Sequence, residues 1–62
     1  MVPVNLLLFN MSDNYRLDLA ESMRFEAETH FEAEERANRA GEEWVKGDPT
    51  SRRYFTVPVR DV

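Results

Sequence analysis

The stretch YRLDLAESMRFEAE, Tyr15 to Glu28, alternates apolar and polar residues along its whole length. Its odd positions are Tyr15, Leu17, Leu19, Glu21, Met23, Phe25 and Ala27, six of seven apolar, and six of its seven even positions are polar. A period of two sustained this long is a strand pattern, and it outweighs the helix propensity of single Glu and Ala residues. A helix begun near Asn14 would place Leu17 and Phe25 off any common stripe. The run exceeds a usual strand of about 5 to 6 residues, so a turn or bend is expected in Ala20-Glu21-Ser22. Keeping both apolar arms on one face requires an odd-length loop, with Leu19 opposing Met23 and Leu17 opposing Phe25. That triplet lacks the Gly or Asn of a tight turn, so one long bent strand stays open beside a hairpin of strands 15–20 and 23–28.

The rest of the chain supplies partners for this element. Val4 to Phe9 is β-capable with a continuous apolar run at Leu6–Phe9, and Asn10-Met11-Ser12-Asp13-Asn14 brings turn chemistry before Tyr15. Pro3 and Asn5 mark the start of this strand, about 4–9, as an edge. Thr29-His30-Phe31-Glu32 reads as a capping box, from which a helix of about 30–40 begins. Ala33, Ala37, Ala40 and Trp44 fall on one stripe, and Gly41 would end the helix or be tolerated one turn before its end. Gly47-Asp48-Pro49-Thr50 is a turn. The final strand, about 53–60, then puts Phe55, Val57 and Val59 on one side and Tyr54 on the other, with Pro58 pointing outward as on an edge. The fold class is α+β: a small antiparallel sheet of three strands with one helix packed on one face in the order β-β-α-β, or of four in the order β-β-β-α-β if the N-terminal apolar run counts as its own strand.

Composition bounds what such a fold can do. At 62 residues the chain makes a single domain, 1–62, with a thin core. It contains no cysteine, so neither a disulfide framework nor a thiolate metal site is available, and packing or self-association must supply the support. The longest wholly apolar run is Leu6 to Phe9, far short of the roughly 20 residues that span a bilayer, and no leader-like segment is seen, so the chain reads as cytoplasmic. Twelve acidic against eight basic residues give a net charge of −4, which opposes direct nucleic-acid binding but suits docking onto a basic groove.

Chemistry-bearing residues are sparse. His30 is the single histidine, so no metal or cofactor site is expected. Glu32, Glu34, Glu35, Glu42 and Glu43 are acids with no pattern that buries them, and the serines carry no nucleophile motif, so the chain does not read as an enzyme. Phe31 lies about 160° from the Ala33 stripe; it either contacts a neighbouring loop or strand or serves as an aromatic anchor in an interface, and Tyr54 invites the same two readings. Arg52, Arg53 and Arg60 gather positive charge at the end of the chain, either as solvated strand ends that discourage edge pairing or as an arginine edge for an acidic partner.

The segments MRFEAETHFEAEERA and RRYFTVPVRDV resemble the strand, A-E-T, helix and strand pattern of small phage-encoded inhibitors of host RNA polymerase. The matching positions are Ala27-Glu28-Thr29, Glu32-Ala33 and Phe55 to Arg60. The resemblance implies a β-β-α-β fold that docks through charged residues on a host enzyme; Arg60 matches a functional arginine, and Pro58 departs from the pattern. Glu21-Ser22-Met23 is similar to the acid-Ser-apolar element of phage inhibitors of uracil-DNA glycosylase, though an ordinary turn between strands accounts for the same three residues more readily. These resemblances imply a partner-binding protein of the host cytoplasm that uses Arg60, or Glu21 and Ser22 if it mimics DNA; Arg53, Arg52, Tyr54 and Phe31 join the candidate partner-binding residues from their charge and position alone. A different class is an assembly protein that forms a homodimer through a strand edge.

Overall fold

The long alternating run folds as one strand. The computed structural model describes residues 1–59. Its elements are β1 (Val2–Met11), β2 (Leu17–Ala27), α1 (His30–Lys46) and β3 (Arg52–Pro58), in an antiparallel sheet of order β2-β1-β3 with α1 laid across one face. The α+β class and the β-β-α-β order are therefore as the sequence pattern predicts. The two short strands 15–20 and 23–28 are not formed, because β2 pairs along its whole length with β1.

The expected interruption near Ala20 is a bulge. Leu8 opposes Glu21 and Phe9 opposes Leu19, which leaves Ala20 as the extra residue on β2. A single extra residue inverts the side-chain phase of everything beyond it. On one side of the bulge, Met23, Phe25 and Ala27 share the helix-facing side with Leu6, Val4 and Val2. On the other, Leu17 and Leu19 pair with Met11 and Phe9 and so turn to the opposite face.

β1 is longer than the expected 4–9 and is the central strand, not an edge. Its apolar run explains this, since a strand with neighbours on both sides and apolar residues in both phases has two faces to cover. Pro3 and Pro58 lie at the last rungs of the ladder, where a missing N–H costs least. β1 and β2 are joined by a tight loop in which the Ser12 amide donates to the Arg16 carbonyl at 2.9 Å and the Tyr15 amide to the Ser12 carbonyl at 2.9 Å. Tyr15 holds a left-handed backbone there, at φ 61°.

The helix starts where the capping box places it. Thr29 is extended, and its hydroxyl oxygen accepts from the Glu32 amide at 3.2 Å. Ala33 and Ala37 are fully buried, and Ala40 and Trp44 pack against the core formed by Val4, Leu6, Leu8 and Ala27. The helix does not stop at position 40. It runs through Gly41 to Lys46, because Gly41 is a point of close approach: a Cβ there would overlap the Tyr54 ring, with Cε1 at 2.9 Å.

That contact also corrects the phase of β3. Tyr54 opposes Leu8 and faces the helix, so Phe55 and Val57, opposite Leu7 and Asn5, face outward. Alternation favours the phase of Phe55, Val57 and Val59 with Pro58 outward; instead Tyr54 and Pro58, opposite Leu8 and Val4, face the helix, and the space beside Gly41 takes the Tyr54 ring. β3 ends at Pro58, and position 60 of the expected 53–60 lies outside the described residues.

Candidate functional site

Two surfaces of the slab carry side chains that the fold does not use. The first is the open face of the sheet. Leu7, Phe9 and Met11 of β1, Leu17 and Leu19 of β2, and Phe55 and Val57 of β3 all point there. Phe9 and Phe55 meet edge to face, with ring centroids 5.5 Å apart and planes at 78°. Leu19, Phe55, Val57 and Leu17 remain largely exposed. Antiparallel sheets covered on one side ordinarily present polar side chains on the other, so this half of the open face departs from the usual pattern. Toward the opposite end of the face the residues turn polar, with Asn5, Ser22, Arg24 and Glu26 in register.

The second surface is the outer side of α1. Phe31 is 75% exposed near the helix N-terminus. It lines a shallow groove with Glu34, Glu35, Asn38, Arg39 and Glu42. Of the two readings of Phe31, burial against a neighbouring loop or strand is not what the fold provides. Arg39 pairs with Glu35 at 2.8 Å, Lys46 with Glu43 at 3.3 Å, and the Arg36 guanidinium donates to the Glu26 carbonyl. Glu28, Glu32, Glu34 and Glu42 make no ion pair among the described residues. The outer helix therefore presents net negative charge around one exposed aromatic ring.

The remaining residues singled out in the sequence fall in three places. Tyr54 lies between sheet and helix, beside Gly41. Arg52 is turned toward the helix end, where its guanidinium donates to the Trp44 carbonyl at 2.8 Å and stacks 4.6 Å from the Trp44 ring centroid. A cation at that point complements the helix dipole. Arg53 donates to the carbonyls of Pro49 at 3.0 Å and Arg52 at 2.7 Å. Glu21 and Ser22 are exposed within β2 itself, just past the bulge. Arg60 lies outside the described residues.

No protein family model, curated protein or solved structure matches this chain. Its chemistry must be read from its own groups. Among the described residues no cluster of three or more metal-ligating side chains forms, and no helix is long and apolar enough to cross a membrane. Asp48, in the turn before β3, is held below the usual carboxylate range by the Thr50 hydroxyl, helped by Ser51 and the Arg52 charge and opposed by slight desolvation.

The apolar open face is the feature that the alternating pattern concealed. One signal for it was present: Leu6-Leu7-Leu8-Phe9 is apolar in both phases, which a strand covered on one face alone does not need.

Proposed function

We propose that the chain is a small binding protein that inhibits or redirects a nucleic-acid-processing enzyme by occluding a surface, in the manner of the phage proteins it resembles. The acidic outer side of α1, with Phe31 unburied beside Glu34, Glu35 and Glu42, supports this reading. Carboxylates gathered on one side of a helix complement a cationic groove, and long-range attraction between such surfaces accelerates encounter. An exposed aromatic at the edge of a charged surface supplies the kind of apolar anchor that dominates many interfaces.

Host RNA polymerase is the first target class and a DNA-repair enzyme such as uracil-DNA glycosylase the second, each in the host cytoplasm. With Arg52 and Arg53 bonded to carbonyls of their own chain, the docking surface moves from the arginine edge to the helix. Neither catalysis nor a cofactor is required, because the effect is steric and electrostatic.

The test is inhibition by the purified protein of transcription by bacterial RNA polymerase and, separately, of uracil excision by the glycosylase. Inhibition in one assay is expected to weaken at least about tenfold in an E32Q/E34Q/E42Q variant and on raising salt from about 0.05 to about 0.2 M. Phe31→Ala should weaken it at low and high salt alike, by on the order of 1–2 kcal/mol. If neither enzyme is inhibited, the reading fails.

A further inference from the structure

We propose that two copies of this chain associate face to face through the open side of the sheet, making a four-layer helix–sheet–sheet–helix particle. The proposal does not depend on the enzyme-inhibiting role above, and it concerns the opposite side of the slab.

Three observations select a second copy as the occupant. The first is the shortage of core. The fully buried apolar residues are Val4, Leu6, Leu8, Ala27, Ala33 and Ala37, and three of these are alanines. Meanwhile Leu17 is 41%, Leu19 59%, Phe55 50% and Val57 44% exposed on the other face. With a large apolar residue offering about 200 Å² when free, these four leave about 400 Å² of contiguous apolar surface, already as large as the biggest patch of a typical monomer. Leu7, Phe9 and Met11 extend it.

The second observation is size. The Cα atoms span 38 × 24 × 13 Å. The broad face thus offers roughly 900 Å², close to the approximately 800 Å² per partner of a standard stable interface. The apolar cluster occupies one half of it and the polar residues Asn5, Ser22, Arg24 and Glu26 the other, so the two copies would meet chiefly through their apolar halves.

The third is charge. Each copy carries −4, and association through the helices would bring the carboxylates of α1 together. Among the described residues the apolar half of the open face carries one charge, Arg53 opposite Phe9, and its guanidinium is held by the Pro49 and Arg52 carbonyls. Face-to-face stacking puts the two α1 helices on opposite outer sides, roughly 30 Å apart, which is several Debye lengths of about 8–10 Å. A surface with so few charges, the one in its apolar half already bonded to carbonyls of its own chain, suits a copy of itself better than a charged partner. It also leaves both edges of the sheet unpaired, in contrast to dimerisation through a strand edge.

Sedimentation equilibrium on the intact protein at about 50 µM should give twice the chain mass of 7.3 kDa, with a melting temperature that rises with concentration. Leu19→Arg and Phe55→Arg should each sediment as folded monomers, the dissociation constant rising at least about 100-fold, since two-fold symmetry makes every substitution count twice. Should an arginine variant fail to fold, Leu19→Ala and Val57→Ala serve in its place, each weakening association about tenfold or more. Lys46→Ala, on the helix, should leave the dimer intact. Amide exchange along the outer edge of β2 should stay as fast in the dimer as in the arginine monomers. A wild-type monomer at that concentration overturns the proposal. So does a dimer that survives Leu19→Arg and Phe55→Arg, or one in which the β2 edge becomes protected.

Discussion

The two faces of this sheet are built from the same three strands and from similar residues, yet only one is a core. Beneath α1, Val4, Leu6 and Leu8 are closed in by alanines and by the Tyr54 ring beside Gly41. On the open side, Leu7 and Phe9, their immediate neighbours in sequence, lie beside Phe55, Arg53 and the flank of β2, with no layer above them among the described residues. Residue type does not separate the two sets; what lies above them does. Burial is a property of layers, and an apolar side chain on a sheet becomes stabilising only when a second element removes it from water.

The largest expected effect tests that contrast directly. At low protein concentration, where copies are apart, Leu6→Ala should cost about 2–5 kcal/mol in urea unfolding, as for other leucines deleted from a closed core. Leu19→Ala under the same conditions should cost well under about 1 kcal/mol, because its side chain is already in water. Equal losses at the two positions would mean that the open face is covered within a single chain.

A smaller effect concerns how the covered face was made close enough to bury a ring. Gly41→Ala places a methyl group against Tyr54, and should cost about 1–3 kcal/mol through overpacking. The double variant with Tyr54→Leu should recover part of that loss, a coupling that a general helix-propensity effect would not show, since alanine is the better helix former. Without the clash, the substitution would stabilise.

Much of the fold was legible in the sequence, and the missing part has a definite cause. The order of elements followed from the period of two in Tyr15–Glu28, the capping box at Thr29 and the alanine stripe, each a local signal that the final structure uses unchanged. The phase of the strands was not local. Ala20 carries no mark of a bulge, yet the extra residue sends Leu17 and Leu19 to the face opposite Met23 and Phe25. In β3, Tyr54 and Phe55 are both aromatic, and the choice between them was made by a glycine in the helix thirteen positions earlier. The candidate site was legible in Phe31, whose place off the alanine stripe predicts an exposed ring unless something covers it. It was not legible in the arginines, because hydrogen bonds to carbonyls such as Trp44 depend on where the helix ends.

Below these in size lies the hairpin that carries the flipped leucines. Tyr15 occupies a left-handed conformation that costs a non-glycine residue, and its side chain, 82% exposed, gains little in return within the chain. Tyr15→Gly should stabilise by about 0.5 kcal/mol, relief of strain being partly offset by the freer unfolded chain. A loss on substitution would show that the ring itself supports the open face.

The smallest effect is at the turn that sets the phase of β3. Asp48 accepts from the Thr50 hydroxyl at 3.0 Å, and its backbone carbonyl accepts from the amides of Ser51 and Arg52. The side-chain bond from Thr50, with Ser51 and the Arg52 charge, lowers its folded pKa below the unfolded value. A depressed carboxylate contributes stability that is fully present above the unfolded pKa, near about 3.9, and is lost as pH falls through the lower folded pKa. Asp48→Asn should therefore be less stable than the parent at pH 6, with the gap closing as acid protonates the parent's carboxylate. Unfolding curves between about pH 6 and pH 2 read that closure. A gap that stays constant across the range would show that the carboxylate's charge is idle. The turn would then rest on its backbone bonds from Ser51 and Arg52 to the Asp48 carbonyl, which the asparagine variant keeps.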